Sequence, residues 1–289
     1  MANSNLRGAL YGIAAMGLYC LYDVTIKLLG SDYNPLQILF CAGLVFVPLI
    51  LVQTFWSGRA NLRPVMPGLT ALRVVVSLVN SVVGAYAFAV LPLAECYAVF
   101  FLMPLMIALL AVPVLGEPMD PARGFAIAIG FGGVIVALQP GGDTQLGLGH
   151  LAAFTAAALG AVNYVILRKT SGVETPGVLL LYPAISQLIA IGIMVPGIWL
   201  PMPMPHWALT TLMGIELFAG GTLIILAYRT AAAIVVAPMQ YSQIIWAAVL
   251  GAVLFDERMT LTMIFGIAII ILAGLFILFF QPRAAVRPL

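Results

Sequence analysis

The chain has 289 residues, of which 63% are hydrophobic and only 8% charged, with a formal net charge of +2 at pH 7. A soluble domain carries about 25% charge, so this composition excludes one, and the surplus apolar side chains must face lipid. No basic patch with interleaved aromatics points to nucleic acid, and Cys20, Cys41 and Cys96 lie in apolar runs, as packing residues rather than a disulfide set or metal site.

A bilayer core needs about 20 apolar residues per helix. On that measure the chain predicts ten spans, over 8–29, 36–56, 68–90, 94–115, 121–140, 148–167, 177–199, 207–228, 233–254 and 261–281. The fold class expected is an all-α membrane protein with ten transmembrane helices. The first span follows Arg7 as a signal peptide would, but it runs past a cleavable length into Asp23 and Lys27 and is expected to be retained.

In the first span, Asp23 and Lys27 share a helix face at the favourable i, i+4 order. They are either an intrahelical pair that eases insertion or a substrate or ion site. Tyr19 lies on the same stripe, with Tyr22 beside it. The third span repeats Arg73, Ser77, Asn80, Ser81 and Gly84 on one non-lipid face, which is either helix-packing glue or a cavity wall. The fourth span supplies Tyr97, Phe100 and Phe101. The sixth and seventh add weaker candidates in Asn163, Tyr164, Tyr182, Ser186 and Gln187.

Glu216 falls near the middle of the eighth span. A carboxyl group there costs a few kcal/mol and usually faces a cavity. It is a protonation switch, a partner for a substrate ammonium group, or hydrogen-bonded structural glue. The ninth span carries Gln240, Tyr241, Ser242, Gln243 and Trp246. Rings with a few amides suit a pocket for amino-acid side chains, although an interfacial belt or ordinary packing explains any one ring. Pro104 and Pro238 break backbone bonding in the fourth and ninth spans. With Gly220 and Gly221 they are candidate hinges, which close packing would explain equally well.

Larger punctuation recurs along the chain. PLAECYAVFFLMPLMIALLAVPVLGEPMD from Pro92 and AAAIVVAPMQYSQIIWAAVLGAVLFDERMT from Ala231 share one plan and end near Glu117 and Glu257, at a spacing of 140. Asn34-Pro35 and Thr175-Pro176, Lys27 and Arg168, and Gln139-Pro140 and Gln281-Pro282 keep nearly the same offset. Polar and Gly/Pro punctuation does not align by composition alone, so two repeats are expected, 1–141 and 142–289. With the N-terminus inside, ten of the twelve Lys and Arg residues lie on the cytoplasmic side, with Lys27 and Arg258 opposite. Both termini are then cytoplasmic. Because five spans is an odd number, the second repeat is inverted, the architecture of alternating-access carriers.

Ten spans in two five-span copies, with ALLAVPVLGEPMD and AAVLGAVLFDERMT closing the fourth and ninth, resemble the drug/metabolite transporter superfamily and its EamA-type exporters. Ala85-Tyr86-Ala87 and Ala227-Tyr228-Arg229 fit the same pattern. Within it the chain is most similar to bacterial exporters of the aromatic amino-acid exporter type. One departure is Pro118 after the first glutamate where Arg258 follows the second, which puts a symmetric role for the two ends in doubt. The resemblance implies export of amino acids or related small metabolites across the bacterial inner membrane. Alternatives are another solute class (a drug-like cation, nucleoside or sugar), a channel, or a membrane-embedded enzyme.

No enzyme motif is present, and His150 and His206 stand in different loops, too isolated for a metal site or triad. No cofactor and no metal are expected. Two repeats already supply both halves of a pocket, which is compatible with a monomer partnered by its solute and the bilayer. The substrate-binding set expected is Tyr19, Asp23, Ser77, Asn80, Tyr97, Phe101, Asn163, Glu216, Tyr241, Gln243 and Trp246.

Overall fold

The computed structural model describes residues 2–56, 62–115, 121–138, 146–170, 172–231, 236–257 and 259–279. The expectations placed on Arg59, Glu117, Pro118, Gln139, Pro140, Arg258, Gln281, Pro282, Arg283 and Arg287 fall outside those residues. Among the described residues the chain is all helical: α1 (Ala2–Leu29), α2 (Pro35–Trp56), α3 (Pro67–Val90), α4 (Leu93–Phe100), α5 (Met103–Leu115), α6 (Pro121–Leu138), α7 (Leu148–Thr170), α8 (Pro176–Met194), α9 (Met204–Thr230), α10 (Gln243–Phe255) and α11 (Leu261–Phe279). Among the described residues, seven spans are long and apolar enough to cross a bilayer, one of them α4 and α5 taken together, and three shorter apolar helices follow in the two halves of the chain.

Proline sets several of these starts, because its missing N–H would lie unpaired in a first turn anyway. Asn34 Oδ1 accepts from Leu36 N at 3.0 Å ahead of α2, and Thr175 Oγ1 accepts from Val178 N at 3.3 Å ahead of α8. The two dipeptides that match along the sequence thus do the same capping work.

The predicted fourth and ninth helices are not continuous. The fourth breaks after Phe100 and resumes at Met103. Pro104 cannot donate a hydrogen bond, and its ring would crowd the carbonyl four residues back, that of Phe100. The ninth begins as a 3-10 segment, Ala237–Ser242, that includes Pro238, and becomes α-helical only at Gln243. At its far end Asp256 adopts φ 54°, the one positive-φ non-glycine residue among those described, and turns Glu257 N back onto Gly251 O at 3.1 Å.

The helices pack in crosswise pairs: α1 on α9, α3 on α7, α2 on α8 and α9, and α4 on α10. Helices α6 and α11 form a separate pair in which backbone meets backbone. A Cβ on Gly133 would stand 2.9 Å from Gly266 O, so only glycine permits this approach. Gly220 has a similar role on α9, where a Cβ would meet Tyr19 Cε1 at 2.9 Å. Helix α9 runs unbroken through Gly220 and Gly221, and both residues are closely packed.

Candidate functional site: a central cavity

The helices that carry the polar stripes enclose a cavity of about 290 Å³. Helix α1 contributes Tyr19, Tyr22 and Asp23; α3 contributes Asn80, Ser81 and Phe88; α4 contributes Tyr97 and Phe100. From the other half come Asn163 and Tyr164 on α7, Gln187 on α8, Leu217 on α9, and Gln240 and Gln243 where the 3-10 segment passes into α10. Six of the eleven sequence-selected residues are therefore brought together: Tyr19, Asp23, Asn80, Tyr97, Asn163 and Gln243.

The other five lie elsewhere. Phe101 is buried behind Tyr97, with ring centroids 6.1 Å apart, and Tyr241 packs behind Phe101 at 5.9 Å. Trp246 is 42% exposed and packs beside Gly17 of α1, outside the cavity lining. Ser77 is one turn below Asn80 with its Oγ buried, and Glu216 is 4% exposed on α9. Tyr19 over Gly220 sets the antiparallel register of α1 and α9, which brings Glu216 to the level of Asp23. Ser77 Oγ, Asn80 Oδ1, Glu216 Oε2 and Tyr241 OH have no hydrogen-bond partner among the described residues.

The i, i+4 pairing expected of Asp23 and Lys27 is replaced by longer-range partners. Tyr97 OH donates to Asp23 Oδ2 at 2.6 Å, inside the bundle. Lys27 Nζ instead meets Glu257 Oε1 at 2.8 Å and donates to Leu91 O at 2.8 Å, while Glu257 Oε2 accepts from Leu93 N at 2.9 Å. Two side chains only 16% and 17% exposed thus tie α1, the α3–α4 turn and the end of α10 together. This latch lies one helical turn beyond Asp23, or about 6 Å along α1.

Both histidines are also more engaged than expected. His150 Nε2 lies 3.1 Å from Glu95 Oε2, joining α7 to α4, and Tyr33 OH lies 2.8 Å from His206 Nδ1. At the other end of the bundle, Glu174 accepts from Val65 N at 3.1 Å and Met66 N at 2.7 Å, capping the start of α3. Arg73, assigned by charge to the cytoplasmic surface, turns inward: its Nε donates to Asn163 Oδ1 at 2.8 Å and its Nη1 to Leu179 O. A long aliphatic stem lets the guanidinium reach past the helix end in this way.

Several contributors were missed in the sequence, Leu217 and Phe88 among them. Phe88 continues the α3 stripe through Ser77, Ser81 and Gly84, so the rhythm already held that signal. The pairing of Lys27 with Glu257 left none, since no local pattern joins positions so far apart.

A bundle of apolar helices around a polar, partly closed cavity defines a multi-pass membrane protein built to receive a solute. Residues 6–139 match the profile of the EamA-like transporter family. It is 25% identical to an S-adenosylmethionine uptake transporter of Rickettsia felis, over 92% of this chain and 90% of the relative. It is 29% identical to a riboflavin transporter of Rhizobium johnstonii over 80% and 76%. To a pseudopaline exporter of Pseudomonas aeruginosa it is 22% identical over 92% and 94%. A solved crystal structure with 20% identity superposes with a TM-score of 0.66, covering 93% of this chain and 97% of that one. These relatives are transporters of three different metabolites, not specifically of aromatic amino acids.

Proposed function

We propose that the protein is a secondary transporter that works by alternating access, with residues 1–141 and 142–289 as inverted five-span repeats. In this reading it exports amino acids or related small metabolites across the bacterial inner membrane, with both termini cytoplasmic. The observation that carries it is the cavity, lined from both halves of the chain, with the Lys27–Glu257 pair one helical turn beyond Asp23.

The repeat reading is supported by reciprocal packing. The first span lies on the eighth as the sixth lies on the third, while the second meets the seventh and the fifth meets the tenth. The fourth and ninth spans are each interrupted early, beside the cavity. Exchanging the conformations of two such halves closes one entrance and opens the other. With the N-terminus inside, the Lys27–Glu257 end is the outer one. Relatives that carry S-adenosylmethionine, riboflavin and pseudopaline support a metabolite of modest size; export follows the pseudopaline relative, and the uptake relatives favour the reverse direction.

The test is counterflow in proteoliposomes loaded with one unlabelled solute at a time: aromatic amino acids, S-adenosylmethionine or riboflavin. The expected result is a transient overshoot of the labelled form for some of these solutes. Flux that never saturates would point to a channel. If no overshoot appears for any solute with folded protein, the solute assignment fails, and nucleosides, sugars and drug-like cations come next.

A further inference from the structure

We propose that Asp23 and the rings around it form a subsite for the positively charged head of the cargo, a protonated amine or similar onium group, so that the cavity takes cations and zwitterions and rejects simple anions. The inference deepens the carrier reading and rests on it. Among the described lining residues Asp23 is the only charged one; no Lys, Arg or His joins it. Lys27 is held by Glu257 and Leu91 O, and Arg73 stands behind the wall, held by the lining residue Asn163 and by Leu179 O. The cavity therefore presents an acid with no opposing charge.

Its surroundings suit a cation in three further ways. Tyr97 OH holds Asp23 Oδ2 at 2.6 Å, fixing the carboxyl group from a second helix although the residue is 9% exposed. The rings of Tyr19, Tyr22, Phe88 and Tyr97 line the same space, and aromatic faces attract cations, including those of quaternary and onium type. Asn80 Oδ1, also at the cavity, is a buried acceptor with no partner among the described residues. An ammonium group carries three donors and no acceptor, which matches a wall that offers these acceptors. A carboxylate carries only acceptors and would place a second negative charge beside the first.

The experiment uses the full chain in lipid nanodiscs and four probes that share one ring: phenethylamine, phenylalanine methyl ester, L-phenylalanine and 3-phenylpropionate. Isothermal titration should give Kd values for the amine and the ester at least about tenfold below that of 3-phenylpropionate, with L-phenylalanine between them. In Asp23→Asn this preference should collapse. Tyr22→Leu should weaken the amine several-fold and leave 3-phenylpropionate unchanged.

Equal binding of the acid and the amine overturns the proposal, as does a preference that survives in Asp23→Asn, or amines that fail to bind at all. The series on the unaltered protein decides the matter even if Asp23→Asn does not fold. Riboflavin is uncharged, so its counterflow together with no preference for amines refutes the subsite and leaves the carrier. Amine binding without counterflow of any solute refutes the carrier and leaves the subsite.

Discussion

The helices around the cavity and the α6/α11 pair come from similarly apolar sequence, yet they solve opposite packing problems. Helices α6 and α11 put glycine against glycine and exclude everything between them, through contacts such as Gly133 with Gly266. Around the cavity, large rings and amides hold the helices apart, and unpartnered acceptors such as Asn80 Oδ1 remain. In a bilayer the hydrophobic effect does not drive helix onto helix, so shape and hydrogen bonds decide. The first region is built to be dense, and the second to stay open.

Breaking the dense region should have the largest effect. Gly266→Leu drives a side chain into the backbone of α6 and should cost about 3 kcal/mol or more, read as a lower unfolding midpoint and loss of folded protein in detergent. On the cavity side, Asp23→Asn should lower counterflow at least about tenfold while moving the unfolding midpoint by only a few degrees. A large fall in stability there would mean that Asp23 serves as packing glue, as the dense region does.

The latch makes the contrast sharper. Lys27→Met or Glu257→Gln leaves one partly buried charge without its partner, and a double-mutant cycle should give a coupling of about 0.5–3 kcal/mol. Opening that end should also speed the reaction of buried Cys96 with a membrane-impermeant maleimide applied outside. Unchanged labelling would separate the latch from any gate. Smaller effects are expected at Asp256. Its positive φ suits glycine, so Asp256→Gly should be nearly neutral, while Asp256→Val should cost about 1–2 kcal/mol in the same unfolding assay. Glu216→Gln lies outside the cavity lining and should change ligand Kd by less than about twofold, whatever it does to turnover.

Much of the framework was legible in the residues. Apolar length marked the spans, and proline placed the breaks, as at Pro104. The stripe of Ser77, Asn80, Ser81 and Gly84 announced a face turned from lipid, and its Asn80 and Ser81 do line the cavity. The choice among aromatic residues was less legible. Tyr97 and Phe101 are one turn apart, yet one faces the cavity and the other packs behind it. Trp246 follows Gln243 by only three positions on the same helix, yet it packs beside Gly17 of α1 and is not part of the lining.

By itself, then, the sequence determined the class of environment, the approximate bounds of most helices, and several of the residues that end or interrupt them. These follow from apolar length, proline's missing donor and side-chain capping, all of which act within a few neighbours along the chain. The tertiary structure alone decided that Lys27 belongs with Glu257 rather than with Asp23, that Arg73 bonds Asn163 and Leu179 O, and which side chains share the cavity. A charge inside a membrane takes the partner that best relieves its desolvation, and that partner is known only once the helices are side by side.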